Sequence, residues 1–277
     1  MKKRNFLLLF TFLMTLFLVA CGNEPQDSST IADKKDITIG FNPGPYEDIF
    51  RLGVEPILTE KGYTITYKNF TDGVVNNAAV ASGEIDANIF QHSIYLESIN
   101  EQQGFSLKPA VLVPTPPMGL YSNVYTNLDE VPDGVEVAMP ADPVNMARGL
   151  NLLSELGWIK VKEDVNPIHV SDSDIVDNPK NVKITPMDSA MGTRALEDVA
   201  LVAIQGNFAI AGGLTLTDAL LLETMTAPHT NIVAVKEGNL EAQYVKDIIE
   251  AYHAEAFQQV FLEQEIYAGY TLPDYFK

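Results

Sequence analysis

Ser82-Gly-Glu-Ile-Asp-Ala-Asn-Ile89 and Ala195-Leu-Glu-Asp-Val-Ala-Leu-Val202 share one layout. Each carries the end of a helical pattern, a tight acidic turn and a short apolar strand. Each strand then runs into a polar and aromatic cluster, Phe90-Gln-His92 in the first case and Gln205-Gly-Asn-Phe208 in the second. A layout that occurs twice implies two similar lobes, each presenting a strand end to a shared cleft. Ligands of open α/β sheets sit at the carboxyl ends of strands, and clefts between domains are preferred pockets. The expected fold class is therefore α/β, two-lobed, with a ligand cleft between the lobes.

Working outward, Asp36-Ile-Thr-Ile-Gly-Phe41 alternates as a strand does, and Asn42-Pro-Gly-Pro45 is a turn. Tyr46 to Lys61 has apolar residues at helical spacing and ends at Gly62. A strand at 63–67, a helix at 74–82, a strand at 85–90 and a helix at 93–103 complete a βαβαβα series, the pattern of a mostly parallel sheet covered by helices. The Pro-rich run from Val111 to Ser122 is extended and reads as chain leaving one lobe for the other. Beyond it, strands are expected at 135–139 and 199–204, and β-like pieces at 168–170 and 182–186. Helices are expected at 145–156, 188–197 and 240–262, and an extended return at 226–235.

The N-terminus sets the compartment. Met1-Lys-Lys-Arg4 is followed by an apolar run from Phe6 to Ala20, the length of a signal core and too short for a comfortable membrane span. Leu18-Val-Ala-Cys-Gly22 is similar to the lipobox of bacterial lipoproteins, which implies cleavage before Cys21 and acylation, palmitate included, of the one cysteine in the chain. Several acyl chains anchor stably where one is marginal. Residues 1–20 are read as the signal peptide, and 21–36 as the lipidated cysteine with a polar tether. The expected location is the cell membrane, lipid-anchored and facing away from the cytoplasm, at the cell surface or in the periplasm.

The whole chain has 18 basic and 37 acidic residues. Without Lys2, Lys3 and Arg4 the balance is 15 to 37, about −22, a surface that repels nucleic acid. With its only cysteine given to lipid, the chain has no disulfide and no thiolate metal site. The histidines are His92, His169, His229 and His253, none at metal-ligand spacing, and no nucleophile-elbow, zincin or P-loop motif occurs. No enzyme activity, cofactor or metal is expected, and a monomer is.

Several stretches carry a family resemblance: Gly40-Phe-Asn-Pro-Gly-Pro45, Asp86-Ala-Asn-Ile-Phe-Gln-His92, Pro117-Met-Gly-Leu-Tyr-Ser122, Pro140-Ala-Asp-Pro-Val-Asn-Met-Ala-Arg-Gly149, Asp177-Asn-Pro-Lys180, Ile204-Gln-Gly-Asn-Phe-Ala209 and Thr230-Asn-Ile232. In this order they resemble the methionine-binding lipoproteins of the NlpA/MetQ type, substrate-binding components of methionine ABC importers. The resemblance covers the chain from Lys35 onward. It implies a type II periplasmic-binding-protein fold with crossings near 121–126 and 226–231, so that lobe 1 spans 37–122 plus 230–277 and lobe 2 spans 123–229. It further implies L-methionine or a similar small zwitterion as ligand, and ABC permease and ATPase subunits as partners. Arg148 corresponds to the residue that holds the ligand carboxylate, and Asn207 and Asn231 to amides that grip its main-chain groups. Phe90, His92 and Tyr95 lie in the run forming the side-chain pocket, with Asn145 one turn before Arg148. The chain departs from the family pattern at Asn76, Ile94, Ala141, Gln205 and Phe208. Receptors for another amino acid or a short peptide, and a surface adhesin, stay open as alternatives.

Overall fold

The computed structural model describes residues 34–277. The signal segment, Cys21 and the tether up to residue 33 lie outside the described residues. Strands β1 (Asp36–Phe41), β2 (Thr64–Asn69), β3 (Ala87–His92) and β4 (Leu107–Leu112) form the first lobe. The chain then makes β5 (Gly119–Tyr121), β6 (Glu136–Pro140), the β7 (Lys160–Val161) and β8 (Ile175–Asp177) ribbon, β9 (Lys183–Met187), β10 (Leu201–Ile204) and β11 (Leu221–Leu222) in the second lobe. It returns as β12 (Asn231–Lys236).

The two main sheets are built on one plan. The first has the order β2-β1-β3-β12-β4, and the second, read from its other edge, is β9-β6-β10-β5-β11. In each, the strand fourth in order is antiparallel to both neighbours and is the strand that has just arrived from the other lobe. The duplicated sequence layout thus supplies β3 and β10, which occupy equivalent central places. Central strands buried on both faces read as continuous apolar runs. Val233, Ala234 and Val235 of β12 and Leu201 to Ile204 of β10 are all fully buried.

Each sheet is sandwiched between helical layers. On one face of the first sheet, Ile39, Phe41 and Val233 pack against Phe50, Val54, Tyr252 and Phe257. On its other face, Ile85 and Ala234 meet Val80 and Leu96. The second sheet covers Leu150 and Leu153 of the Pro143–Glu155 helix on one side. The long first helix runs in three consecutive pieces, Tyr46–Ile49, a π-helical Phe50–Val54 and Glu55–Glu60.

Three readings are corrected. β5 already pairs with β10 in the second sheet, so the first crossing is the 113–118 segment, ahead of the expected 121–126. The Pro-rich run is itself the crossing, because its prolines cannot donate to a ladder. The second crossing occupies 223–230, between β11 and β12. Residues 168–170, expected as β-like, fall largely in a 3-10 turn, Pro167–His169, started by the Asn166 side chain accepting from Ile168 N at 3.2 Å.

The first crossing is seated on the backbone of Gly206. A methyl there would lie 2.5 Å from Pro117 O and 2.6 Å from Pro116 Cβ. Overpacking against backbone costs about 1–3 kcal/mol, so Gly206→Ala should lower the unfolding free energy by that amount, seen as a lower urea midpoint with an unchanged slope. A variant with the wild-type midpoint would show that the crossing does not rest there.

Candidate functional site

The carboxyl ends of β1, β3, β6 and β10 face one another across the crossings, and between them lies a cavity of about 400 Å³. All seven residues singled out from the sequence line it: Phe90, His92 and Tyr95 around the end of β3, Asn145 and Arg148 on the Pro143–Glu155 helix, Asn207 after β10, and Asn231 at the start of β12. Three substantial helices, Gly73–Ser82, Ser93–Gln103 and Pro143–Glu155, begin at this cavity. Their amino ends favour negative charge. Two are capped by carboxylates: Asp72 accepts from Val75 N and Asp142 from Asn145 N, each at 2.9 Å.

Arg148 is only 5% exposed. A buried guanidinium has to be paired, and its partner is Glu223, which accepts from Nε at 3.1 Å and from Nη2. Arg148 Nη1 donates to Asn145 Oδ1 at 3.0 Å. The same oxygen faces His92 Nε2 at 3.3 Å, while Asn145 Nδ2 donates to Asp142. His92 Nδ1 accepts from Tyr95 N at 3.2 Å, so the ring proton sits on Nε2 and points to Asn145. Burial, then the Arg148 charge and the neighbouring His229, hold His92 well below its ordinary value; it is a neutral imidazole. Burial raises Asp142 from its ordinary value, an effect opposed by the Asn145 hydrogen bonds and by Arg148.

Two amides have their polarity fixed by groups that can only accept. Asn207 Nδ2 donates to Pro43 O at 3.0 Å, a bond from lobe 2 to lobe 1. Asn231 Nδ2 donates to Phe90 O at 2.8 Å and to Tyr46 OH at 2.7 Å. Because a carbonyl cannot donate, each amide must turn its NH2 to the protein. Neither Oδ1 accepts a hydrogen bond among the described residues, so both carbonyl oxygens are left for the cleft. The lobes are in close contact at this point. Gly44, with φ at +142°, approaches Asn207 so nearly that a methyl would lie 2.8 Å from Asn207 Cβ.

Sequence reasoning missed Asn42, Gln91, Asp142 and Gln205, which also line the cavity, and Glu223 behind Arg148. A buried amide cluster positions two of them. Asn76 Nδ2 donates to Asn42 Oδ1 at 2.7 Å, and Asn77 Nδ2 to Gln91 Oε1 at 2.8 Å. Strand equivalence could have found Asn42 and Gln205, which directly follow β1 and β10. Nothing in the sequence distinguishes Glu223 from the other acidic residues. Among the described residues, no helix is long and apolar enough to cross a membrane, and no group of three or more His, Cys, Asp or Glu could hold a metal.

The model of the family described as "NlpA lipoprotein" matches residues 37–275. The D-methionine-binding lipoprotein MetQ of Escherichia coli is 32% identical over 267 residues, 94% of this chain and 96% of its own. Outer membrane lipoprotein 1 of Mannheimia haemolytica is 32% identical over 252 residues, 88% of this chain and 90% of its own. A solved nutrient binding protein from Burkholderia cenocepacia, bound to methionine, superimposes with a TM-score of 0.79 at 33% identity, covering 85% of this chain and 98% of that one.

In the unfolded chain His92 titrates near 6.5, whereas the folded protein keeps it neutral to a lower pH. Between those values the unfolded state holds more protons, so this contribution to stability is present above about 6.5 and is lost as pH falls below it. Urea unfolding between pH 7.5 and 5.5 should show a decline that His92→Gln makes shallower. Identical slopes would place the pH dependence elsewhere.

Proposed function

The chain belongs to the NlpA lipoprotein family, and from that premise we propose that it is the substrate-binding lipoprotein of an ABC importer, taking L-methionine or a related small amino acid between its lobes. The observation that carries this reading is the polarity of the cavity. Arg148 keeps an N–H on each terminal nitrogen beyond those given to Glu223 and Asn145. These suit a carboxylate, which a guanidinium fork recognises in two-point fashion. The Asn207 and Asn231 carbonyl oxygens suit an ammonium. Phe90 and Tyr95, whose rings meet edge to face at 6.1 Å, offer an apolar wall of the kind that suits a thioether.

Closure follows from where these groups come from. A ligand shifts an equilibrium between open and closed forms only by its differential affinity for them. Arg148 and Asn207 belong to lobe 2, Phe90, Tyr95 and Asn231 to lobe 1, so one ligand gains its full set of contacts only when the lobes meet. The signal segment and Cys21 fit export and lipid anchoring, which would keep the loaded domain beside its permease and ATPase, outside the cytoplasm. The cavity lining at Ala141, Gln205 and Phe208 leaves room for a second reading, a receptor retuned to another amino acid or a short peptide.

The test is a thermal-unfolding screen of residues 22–277, refolded to remove carried ligand, against the amino acids, methionine sulfoxide and methionine dipeptides. Ligand at a thousand times its dissociation constant adds about 4 kcal/mol. A shift with methionine supports the reading, a shift only with another zwitterion supports the retuned receptor, and a folded sample that nothing shifts contradicts both. Arg148→Ala should stay folded and weaken binding by about 2–4 kcal/mol. Wild-type affinity in that variant would move the carboxylate site away from Arg148.

A further inference from the structure

Glu223 is not part of the cavity wall, yet it is built into the base of the hinge. It is the first residue of the second crossing. Its backbone N donates to Met118 O at 2.9 Å, and its Oε1 accepts from Met118 N at 2.6 Å. Both backbone groups of a residue in the first crossing are thereby engaged by one residue of the second. The same carboxylate holds the inner edge of the Arg148 guanidinium, and the pair is desolvated, with side chains 5% and 9% exposed.

We infer that Glu223 is a specificity-determining residue that keeps the carboxylate site neutral, so that the cleft admits zwitterions and refuses anions of the same shape. This rests on the amino-acid reading above. Arg148 is the one Lys or Arg residue lining the cavity among the described residues, and Glu223 cancels its charge in place. The other charged groups that line the cavity are the carboxylates Asp72, Asp142 and Asp188. His92 adds no positive charge, because burial and Arg148 keep it neutral. His229, beside it at 5.3 Å between ring centroids, is likewise held below its ordinary value by burial and by Arg148. An isolated guanidinium would attract any carboxylate that fits. With Glu223 behind it, a ligand that brings only a negative charge meets an acidic surround, whereas a zwitterion carries its own cation to the Asn207 and Asn231 oxygens. Discrimination of this kind comes from the repulsive element as much as from the attractive one.

The experiment compares an amino acid with its 2-hydroxy analogue, which keeps the carboxylate, the side chain and a hydrogen-bond donor but loses the positive charge. Titration calorimetry on residues 22–277 would use L-methionine and 2-hydroxy-4-(methylthio)butanoate, or the corresponding pair for whichever amino acid the screen identifies. The wild type should bind the hydroxy acid at least about 100-fold more weakly, and Glu223→Gln, which keeps an acceptor for Met118 N, should narrow that ratio by about tenfold. Amino-acid binding with an unchanged ratio in Glu223→Gln overturns the role of Glu223 and leaves the amino-acid reading intact. If no amino acid binds the wild type, the amino-acid reading falls and this inference with it. The wild type supplies a check that does not depend on the variant folding: a hydroxy acid bound within tenfold of the amino acid overturns the inference directly.

Discussion

A guanidinium with 5% of its surface exposed cannot be left without a counter-charge, because an unpaired buried ion costs several kcal/mol. In this protein the constraint falls on Arg148, and much of the cleft is arranged around it. Glu223 answers the charge from the hinge. Asn145 takes a further N–H and passes the contact to His92 in the other lobe. His92 in turn stays neutral because burial penalises its charged form and Arg148 repels a second cation. The site is thus a chain of hydrogen-bonded groups linked to one buried charge. Arg148 sits at the junction of both lobes and both crossings.

The topology explains why such a junction exists. Two sheets of the same strand order each receive their fourth strand from the opposite lobe. The strand ends that line the cavity in each half are therefore turned toward the same crossings. β3 and β10 are equivalent in this plan, and so are β1 and β6. Each pair delivers polar residues at its carboxyl ends: Asn42 and Asp142 beyond β1 and β6 in one case, and in the other His92, the last residue of β3, and Gln205, just after β10. A duplicated architecture makes the two walls of the cleft, with the Arg148 donor on lobe 2 and the Asn207 and Asn231 amides contributed one by each lobe.

Much of this was legible in the sequence because burial imposes periodicity. The alternation of Asp36–Phe41, the helical spacing after Tyr46 and the twin layouts ending at Ile89 and Val202 all mark residues that pack against something. The seven residues singled out through their motifs all line a single cavity between the lobes. Short elements defined only by their neighbours were not legible. β5 and β11 have three and two residues, too few to show a period, and this is why the first crossing was placed several residues late. The turn at 167–169 is decided by the Asn166 side chain capping it, not by its apolar residues. Glu223 was invisible because a carboxylate's role depends on what lies behind it in space, and its neighbours Arg148 and Met118 are far away in sequence.

The cleft is polarised in one direction, and a crystal structure of the protein with the amino acid that binds it tests that direction. The ligand carboxylate should lie against the terminal nitrogens of Arg148, its ammonium at Asn207 Oδ1 and Asn231 Oδ1, with the Arg148–Glu223 pair still in place. A ligand bound with its ammonium toward Arg148, or seated outside this cavity, would contradict it.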